Sequence, residues 1–217
     1  MPLDMEHARF AMVEQQIRPW EVLDPRVLDT LSTLKREDFV PARHRKLAFA
    51  DVALPLEHGE FMFKPVLEGR VLQSIALQAT DEVLEVGTGS AFLTACLAQL
   101  ARAVTSIERH ADLVERARQR LEATGLTNVR VECADAFTYQ PGREFDVVVI
   151  TAAVCELPTH FASWVRQGGR LFVITGDSPA QEAVLLTRTA AGWQRESLFD
   201  TDVPYLYGAE PKPEFVL

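Results

Sequence analysis

Val83-Leu84-Glu85-Val86-Gly87-Thr88-Gly89-Ser90-Ala91 decides the fold. A short apolar run over 82–86 stops on two closely spaced glycines, and a helix-forming stretch, 92–101, follows at once. Strand, glycine turn and helix together open a parallel α/β sheet. Outward from there the pattern repeats. Residues 103–108 read as a strand, 112–123 as a helix with Leu113, Ala117 and Leu121 on one face, and 129–133 and 147–151 as further strands. A helix over 159–165 leads through Gly168-Gly169 to a strand at 170–175, and 182–189 with 193–200 form a closing antiparallel pair around Ala190-Ala191-Gly192. Continuous apolar runs such as Val147-Val148-Val149-Ile150 fit strands covered on both faces. From residue 80 the chain is expected to form a doubly wound, mostly parallel α/β sheet, whose ligands lie beyond the carboxyl ends of its strands where strand order reverses.

Before residue 80 the texture is helical and irregular. Residues 5–16 and 25–34 carry helix-period apolar positions, and Asp24-Pro25 is a capping residue followed by proline in the first turn. The stretch 39–65 reads as a long loop and 66–79 as another helix. The expected organisation is an N-terminal helical and loop region, 1–79, packed on an α/β core, 80–217, as one compact domain.

Composition narrows the functional classes. The chain has 217 residues, with 22 Lys plus Arg against 31 Asp plus Glu, a net charge of −9. That balance opposes neutralising nucleic-acid phosphates. No apolar run approaches a membrane span, and the start MPLDMEHARF has no basic flank before an apolar segment, so a cytoplasmic protein is expected. Cys96, Cys133 and Cys155 read as reduced core thiols. The histidines, His7, His44, His58, His110 and His160, are scattered along the chain, and no metal is expected.

Gly87 and Gly89 permit a tight turn and close approach of a ligand to backbone. The third glycine of the dinucleotide fingerprint would fall at 92, which is Phe92, so a pyrophosphate fits poorly. Glu85, two residues before the first glycine, would repel a pyrophosphate and favour a cation. Glu108 ends the next strand, 19 residues after Gly89, where a carboxylate can accept both ribose hydroxyls. Asp135, beside Ala136 at the exit of the third strand, can grip an adenine edge with its carboxylate and a neighbouring N–H. Ribose, adenine and a positive sulfonium together describe S-adenosylmethionine.

These residues resemble the class I methyltransferases, and nearly the whole chain is similar to the protein-L-isoaspartate O-methyltransferases. The resemblance is carried by MVEQQIRP, by VLDTLSTLKREDFVPARHRKLAFADVALPL, and by VLEVGTGSAFLTACLAQL, VTSIERHADLVERARQRL and FDVVVITAA. It implies a seven-stranded Rossmann-like sheet and methyl transfer from S-adenosylmethionine to the α-carboxyl of an L-isoaspartyl residue in protein repair, with S-adenosylhomocysteine as product. It also adds Thr88, Ser90 and Arg109 to Glu85, Gly87, Gly89, Glu108, Asp135 and Ala136 as cofactor-binding residues.

Two departures fall on the acceptor side. Where the family reads Gly-Gln-Thr-Ile-Ser, this chain has Gly59-Glu60-Phe61-Met62-Phe63, so Phe63 stands at the family's active-site serine and Phe61 at its threonine. The closing segment is Asp202-Val203-Pro204-Tyr205-Leu206-Tyr207 in place of a Phe-Val-Pro-Leu strand. A milder one is Ala91, where the family's loop carries a third glycine. A carboxylate acceptor is already ionised near neutral pH, so its methylation needs positioning and charge compensation more than a base. Losing one hydroxyl donor costs on the order of 10²–10³ in rate. Lys64 or His58 could supply positive charge instead. Three readings stay open: an isoaspartyl methyltransferase, a methyltransferase for another peptide or small-molecule acceptor, and a catalytically silent binder of the cofactor.

Overall fold

The computed structural model describes residues 4–211. Residues 1–3 and 212–217, within the limits expected for the two regions, lie outside the described residues. Helix α1, Met5–Met12, continues into a wide turn, Val13–Ile17. In α2, Pro25–Thr33, the Asp24 side chain accepts the Arg26 N–H as the sequence leads one to expect. The stretch expected as a long loop holds single-turn helices at Arg36–Asp38, Ala42–Leu47 and Glu57–Gly59, and a small antiparallel ribbon of β1, Leu54–Pro55, and β2, Phe61–Met62. Helix α3, Pro65–Ile75, stops short of the expected residue 79 because Ala76 turns left-handed and Asp81 accepts the Gln78 N–H.

The core then follows with β3 at Glu82–Val86, α4 at Phe92–Leu100, β4 at Ala103–Glu108, α5 at Ala111–Ala123 and β5 at Val129–Cys133, all close to the expected bounds. Strand β6, Phe145–Val154, outruns its apolar core, and a register shift after Val149 lets its end pair with β7 again. The helix expected over 159–165 shrinks to α6, Thr159–Ala162, because Val165 already pairs with Phe145 as the start of β7, Val165–Thr175. Strands β8, Gln181–Thr189, and β9, Gly192–Thr201, close the sheet as an antiparallel pair.

The seven strands lie in the order β5-β4-β3-β6-β7-β8-β9, and the first five strands in that order run parallel. Strand alternation distributes apolar side chains to two layers. Val83, Val147 and Val149 join a core that also takes in Met12, Leu31, Leu72 and Phe92, so the N-terminal helices share one hydrophobic cluster with the sheet. Leu84, Val86, Val148 and Ile150 face the other layer with Phe161 and Trp164. Among the described residues no helix is long and apolar enough to cross a membrane. Only Cys96 is the buried thiol expected of all three cysteines: Cys133, at the end of β5, is exposed and Cys155 half-buried.

Candidate active site

The chain runs outward from β3 through β4 and β5, then returns across β3 to β6, so the crevice expected at a strand-order reversal opens at the carboxyl ends of β3, β4 and β6. A cleft of about 640 Å³, counting its open mouth, occupies that place. Gly87 and Gly89, Glu108 and Arg109, and Asp135 and Ala136 all line it, with Val86, Ile107 and Phe137 supplying apolar walls. Six of the nine expected cofactor residues therefore meet around one space.

The glycine loop and Glu108, the acid expected at a ribose, are physically joined. Glu108 Oε2 accepts the Gly89 N–H at 3.1 Å and Oε1 accepts the His110 N–H at 2.9 Å. A carboxylate offers about four acceptor sites, so these two bonds orient it and leave capacity for a pair of hydroxyls. Asp135 Oδ1 accepts the Phe137 N–H at 2.9 Å, which fixes the turn after β5. The Arg109 guanidinium lies 3.7 Å from the Tyr207 ring centre, and both line the mouth. Gly87 is needed as glycine on two grounds: its φ is +96°, and a Cβ there would run into Thr151 Oγ1.

Three expected cofactor residues lie elsewhere. Glu85 is fully buried, and its carboxylate turns away from the cleft to accept Thr94 Oγ1 at 2.5 Å and Ser106 Oγ at 2.6 Å. Its direction follows from strand alternation: 85 shares a face with Val83, towards α4, whereas Val86 points to the cleft side. Burial pushes its pKa up to about 7 against those two hydrogen bonds, and Oε1 has no partner. Thr88 Oγ1 lies 2.6 Å from Ser106 Oγ, and with Ser90 it lines a smaller crevice behind the loop. These residues build the floor under the glycines.

A second chamber of about 490 Å³ adjoins the cleft. Phe61, Met62, Phe63 and Lys64 form one side and Thr201–Pro204 the other, so both segments that depart from the family line the same space. Glu60, Phe61, Thr151 and Ala152 border both cavities. Thr151 escaped the sequence reading, although a polar residue closing an apolar run marks a strand end. Its hydroxyl lies 2.8 Å from both the Val86 and Gly87 carbonyls, so it braces the glycine loop at the boundary of the two cavities. Phe61 is 44% exposed. Lys64 lines the chamber, but its Nζ stands 3.9 Å from Asp51, whose other oxygen accepts the Val66 N–H at the start of α3. His58 lines neither cavity: its Nε2 is 2.7 Å from Asp112 Oδ1, which removes it as the chamber's cation. Nor are the histidines all scattered, since the His58 and His110 rings stack with centres 4.1 Å apart. Among the described residues no His, Cys, Asp or Glu cluster is arranged to hold a metal ion.

The chamber's loop hangs from a buried ion pair that the sequence reading missed. Arg36 is 0% exposed, with Nε 2.9 Å from Glu68 Oε2, and donates to the Ala48 carbonyl at 2.5 Å and the Phe63 carbonyl at 2.6 Å. Burial raises the Glu68 carboxyl's pKa while the Arg36 charge opposes that. The pair thus fixes where Phe63 enters the chamber.

The cleft fits S-adenosylmethionine on its own chemistry: a buried acid beside two glycines with positive φ, and apolar walls between strand ends. Among the described residues three acids, Glu60, Glu108 and Asp135, line it against one cation, Arg109, a balance that opposes a phosphate. Comparisons agree. The family model for protein-L-isoaspartate(D-aspartate) O-methyltransferase matches residues 7–204. A protein-L-isoaspartate O-methyltransferase of Koribacter versatilis is 38% identical over 194 residues, covering 88% of this chain and 87% of that protein. A protein-L-isoaspartate O-methyltransferase 1 of Rhodopseudomonas palustris strain HaA2 is 38% identical over 205 residues, covering 93% and 84%. In fold, the chain superposes with a TM-score of 0.80 on a Plasmodium falciparum structure assigned as a protein-L-isoaspartate O-methyltransferase in complex with S-adenosyl-L-homocysteine. That match spans 91% of this chain and 97% of the other at 19% identity.

Proposed function

The chain belongs to the protein-L-isoaspartate(D-aspartate) O-methyltransferase family, and from that premise we propose that it methylates the carboxylate of L-isoaspartyl residues in peptides and proteins, slowly for its family. Bound S-adenosylmethionine supplies an electrophilic methyl group. The observation that carries the reading is the pair of cavities sharing Thr151 and Ala152, one lined by Glu108 and the glycine loop, the other by the loop 60–64. Glu108 takes the ribose hydroxyls, Asp135 and Ala136 the adenine edge, and Val86 and Ile107 its apolar surface. The chamber holds the acceptor carboxylate against the boundary and excludes water. Lys64 and Thr201 are the polar donors there, Lys64 with its charge divided with Asp51.

Phe61 and Phe63 set the rate. A carboxylate brought beside two aromatic rings loses hydration that neither ring replaces, which costs free energy unless a donor turns inward. This same observation favours, as the second reading, a less strongly hydrated peptide or small-molecule acceptor. Methyl-ester formation on an isoaspartyl peptide, measured beside a cell extract offered as acceptor, separates the two. Labelling of the peptide supports the first reading, and labelling confined to other acceptors supports the second.

A further inference from the structure

The geometry points to His58, His110, Asp112 and Arg116 as positioning residues that clasp the loop 57–61 over the cofactor cleft and tie its closure to the ribose-binding acid. This rests on the proposed use of the cleft for S-adenosylmethionine. The loop has fixed roots. Leu56 and Met62 are buried, Leu54 pairs with Met62, and the Leu56 N–H donates to the Glu60 carbonyl at 2.8 Å. Between those roots the tip turns through two successive left-handed residues, His58 at φ +62° and Gly59 at +78°. Histidine tolerates that region better than most residues but at some cost, so a non-glycine there is held by its surroundings.

What holds it comes from the cofactor half. The His58 ring stacks on His110 at 4.1 Å and 4° between planes, and its Nε2 meets Asp112 Oδ1 at 2.7 Å. Arg116 joins the same Asp112 at 3.0 Å to Glu57 at 2.7 Å, and His110 Nε2 lies 3.5 Å from Glu60. Four contacts therefore run from the loop to His110 and the first two turns of α5. Their other end is the ribose acid, because the backbone N–H of His110 is the one that donates to Glu108. Glu60 and Phe61 face Glu108 and Arg109 across the same cleft. A ligand that orders Glu108 thereby orders His110 and the loop stacked on it.

The clasp is built to open. The His58 and Asp112 side chains are 41% and 43% exposed, and exposed ion pairs are individually weak. A permanent structural tie in this protein looks different: the Arg36–Glu68 pair is fully buried and bidentate. A cofactor bound against Glu60 and Phe61 leaves when the stacked rings part.

The test uses the full chain with S-adenosylhomocysteine as probe. Its dissociation rate and the amide hydrogen exchange of residues 57–61 are measured in wild type, His58→Ala, Asp112→Asn and the double variant. The wild-type loop should exchange more slowly with the probe bound. Each single variant should release the probe up to about fivefold faster and lose much of that protection. The double variant should release the probe at least as fast as either single, but by less than the product of their effects. The two side chains share one contact and each makes another, His58 with His110 and Asp112 with Arg116. The KM for S-adenosylmethionine should rise in step while kcat stays within about twofold. Unchanged release and unchanged protection in all three variants, with wild type binding the probe, would overturn the clasp alone. A wild-type chain that binds no S-adenosylhomocysteine would overturn the functional reading, and the clasp with it.

Discussion

The two cavities that meet at Thr151 are built by different means. The cofactor cleft is made of strand ends and one glycine turn, all within residues 86–137 apart from the flanking Glu60, Phe61, Thr151, Ala152, Leu206 and Tyr207. Strand register holds it, with the Glu108 carboxylate and the Thr151 hydroxyl bonded to the glycine loop. The acceptor chamber is assembled from the loop 60–64 and the segment 201–204, far apart in sequence, and is positioned by a buried ion pair. Both segments depart from the family pattern. A sheet edge fixes its functional groups through register, so little can change there without losing the sheet. A chamber hung from side chains can exchange threonine and serine for two phenylalanines and keep its frame.

The largest expected effect breaks that frame. Arg36→Ala leaves Glu68 buried without its partner and strips donors from the Ala48 and Phe63 carbonyls. It should cost about 3–5 kcal/mol in urea unfolding, as for other uncompensated buried charges. A loss below 1 kcal/mol would mean that the chamber loop is held by something else.

Next comes the floor of the cofactor half. Glu85 has a native pKa of about 7 against an ordinary 4.5, so folding takes up a proton between those values. Native stability from this group is therefore lost as pH rises from about 4.5 through 7, by roughly 3 kcal/mol in all. Glu85→Gln does not titrate, so its stability relative to wild type should improve by that order from pH 4.5 to 8. A pH-independent difference between the two would show that Glu85 stays ionised in the fold.

Glu108→Ala sharpens the comparison on the cofactor side. It should weaken S-adenosylhomocysteine binding by about 1.5–3 kcal/mol, the range for hydrogen bonds to a charged group, and calorimetry reads this directly. Unchanged affinity would remove the ribose assignment.

The smallest effect is at Ala91, which caps α4 at φ +69° where the family has glycine. The left-handed conformation costs an alanine about 1–2 kcal/mol. Glycine in its place loses about 0.4–1 kcal/mol more chain entropy on folding, and about 0.8 kcal/mol of burial with the methyl of the fully buried Ala91. Ala91→Gly should therefore change stability by less than about 0.5 kcal/mol in thermal unfolding, with cofactor affinity unchanged. A gain well above 1 kcal/mol would show the loop to be strained.

What could be read from sequence was local. Apolar runs and glycines placed β3, β4 and β5 to the residue, and the strand-end positions of Glu108 and Asp135 put both in the cleft. Glu85 was misplaced although the signal was present, since period-two alternation puts it on the face of Val83 rather than of Val86. Contacts between distant segments left no such trace. Arg36 and Glu68 are 32 residues apart, and His58 and Asp112 are 54. Glu68, the one acid of α3 and set among Val66, Leu67 and Val71, was the available hint of the first pair, and nothing local announced the second. The cation expected at His58 was lost to Asp112 for the same reason.

The most direct test of an intact cofactor cleft beside an altered acceptor chamber is the initial rate of methyl-ester formation on an isoaspartyl peptide at saturating S-adenosylmethionine. Wild type, the double variant Phe61→Thr/Phe63→Ser and the Koribacter versatilis relative would be assayed side by side. Wild type should be slower than that relative by on the order of 10²-fold, and the double variant should recover at least about tenfold, as restored hydroxyl donors can provide. Wild-type turnover equal to the relative's would contradict the account.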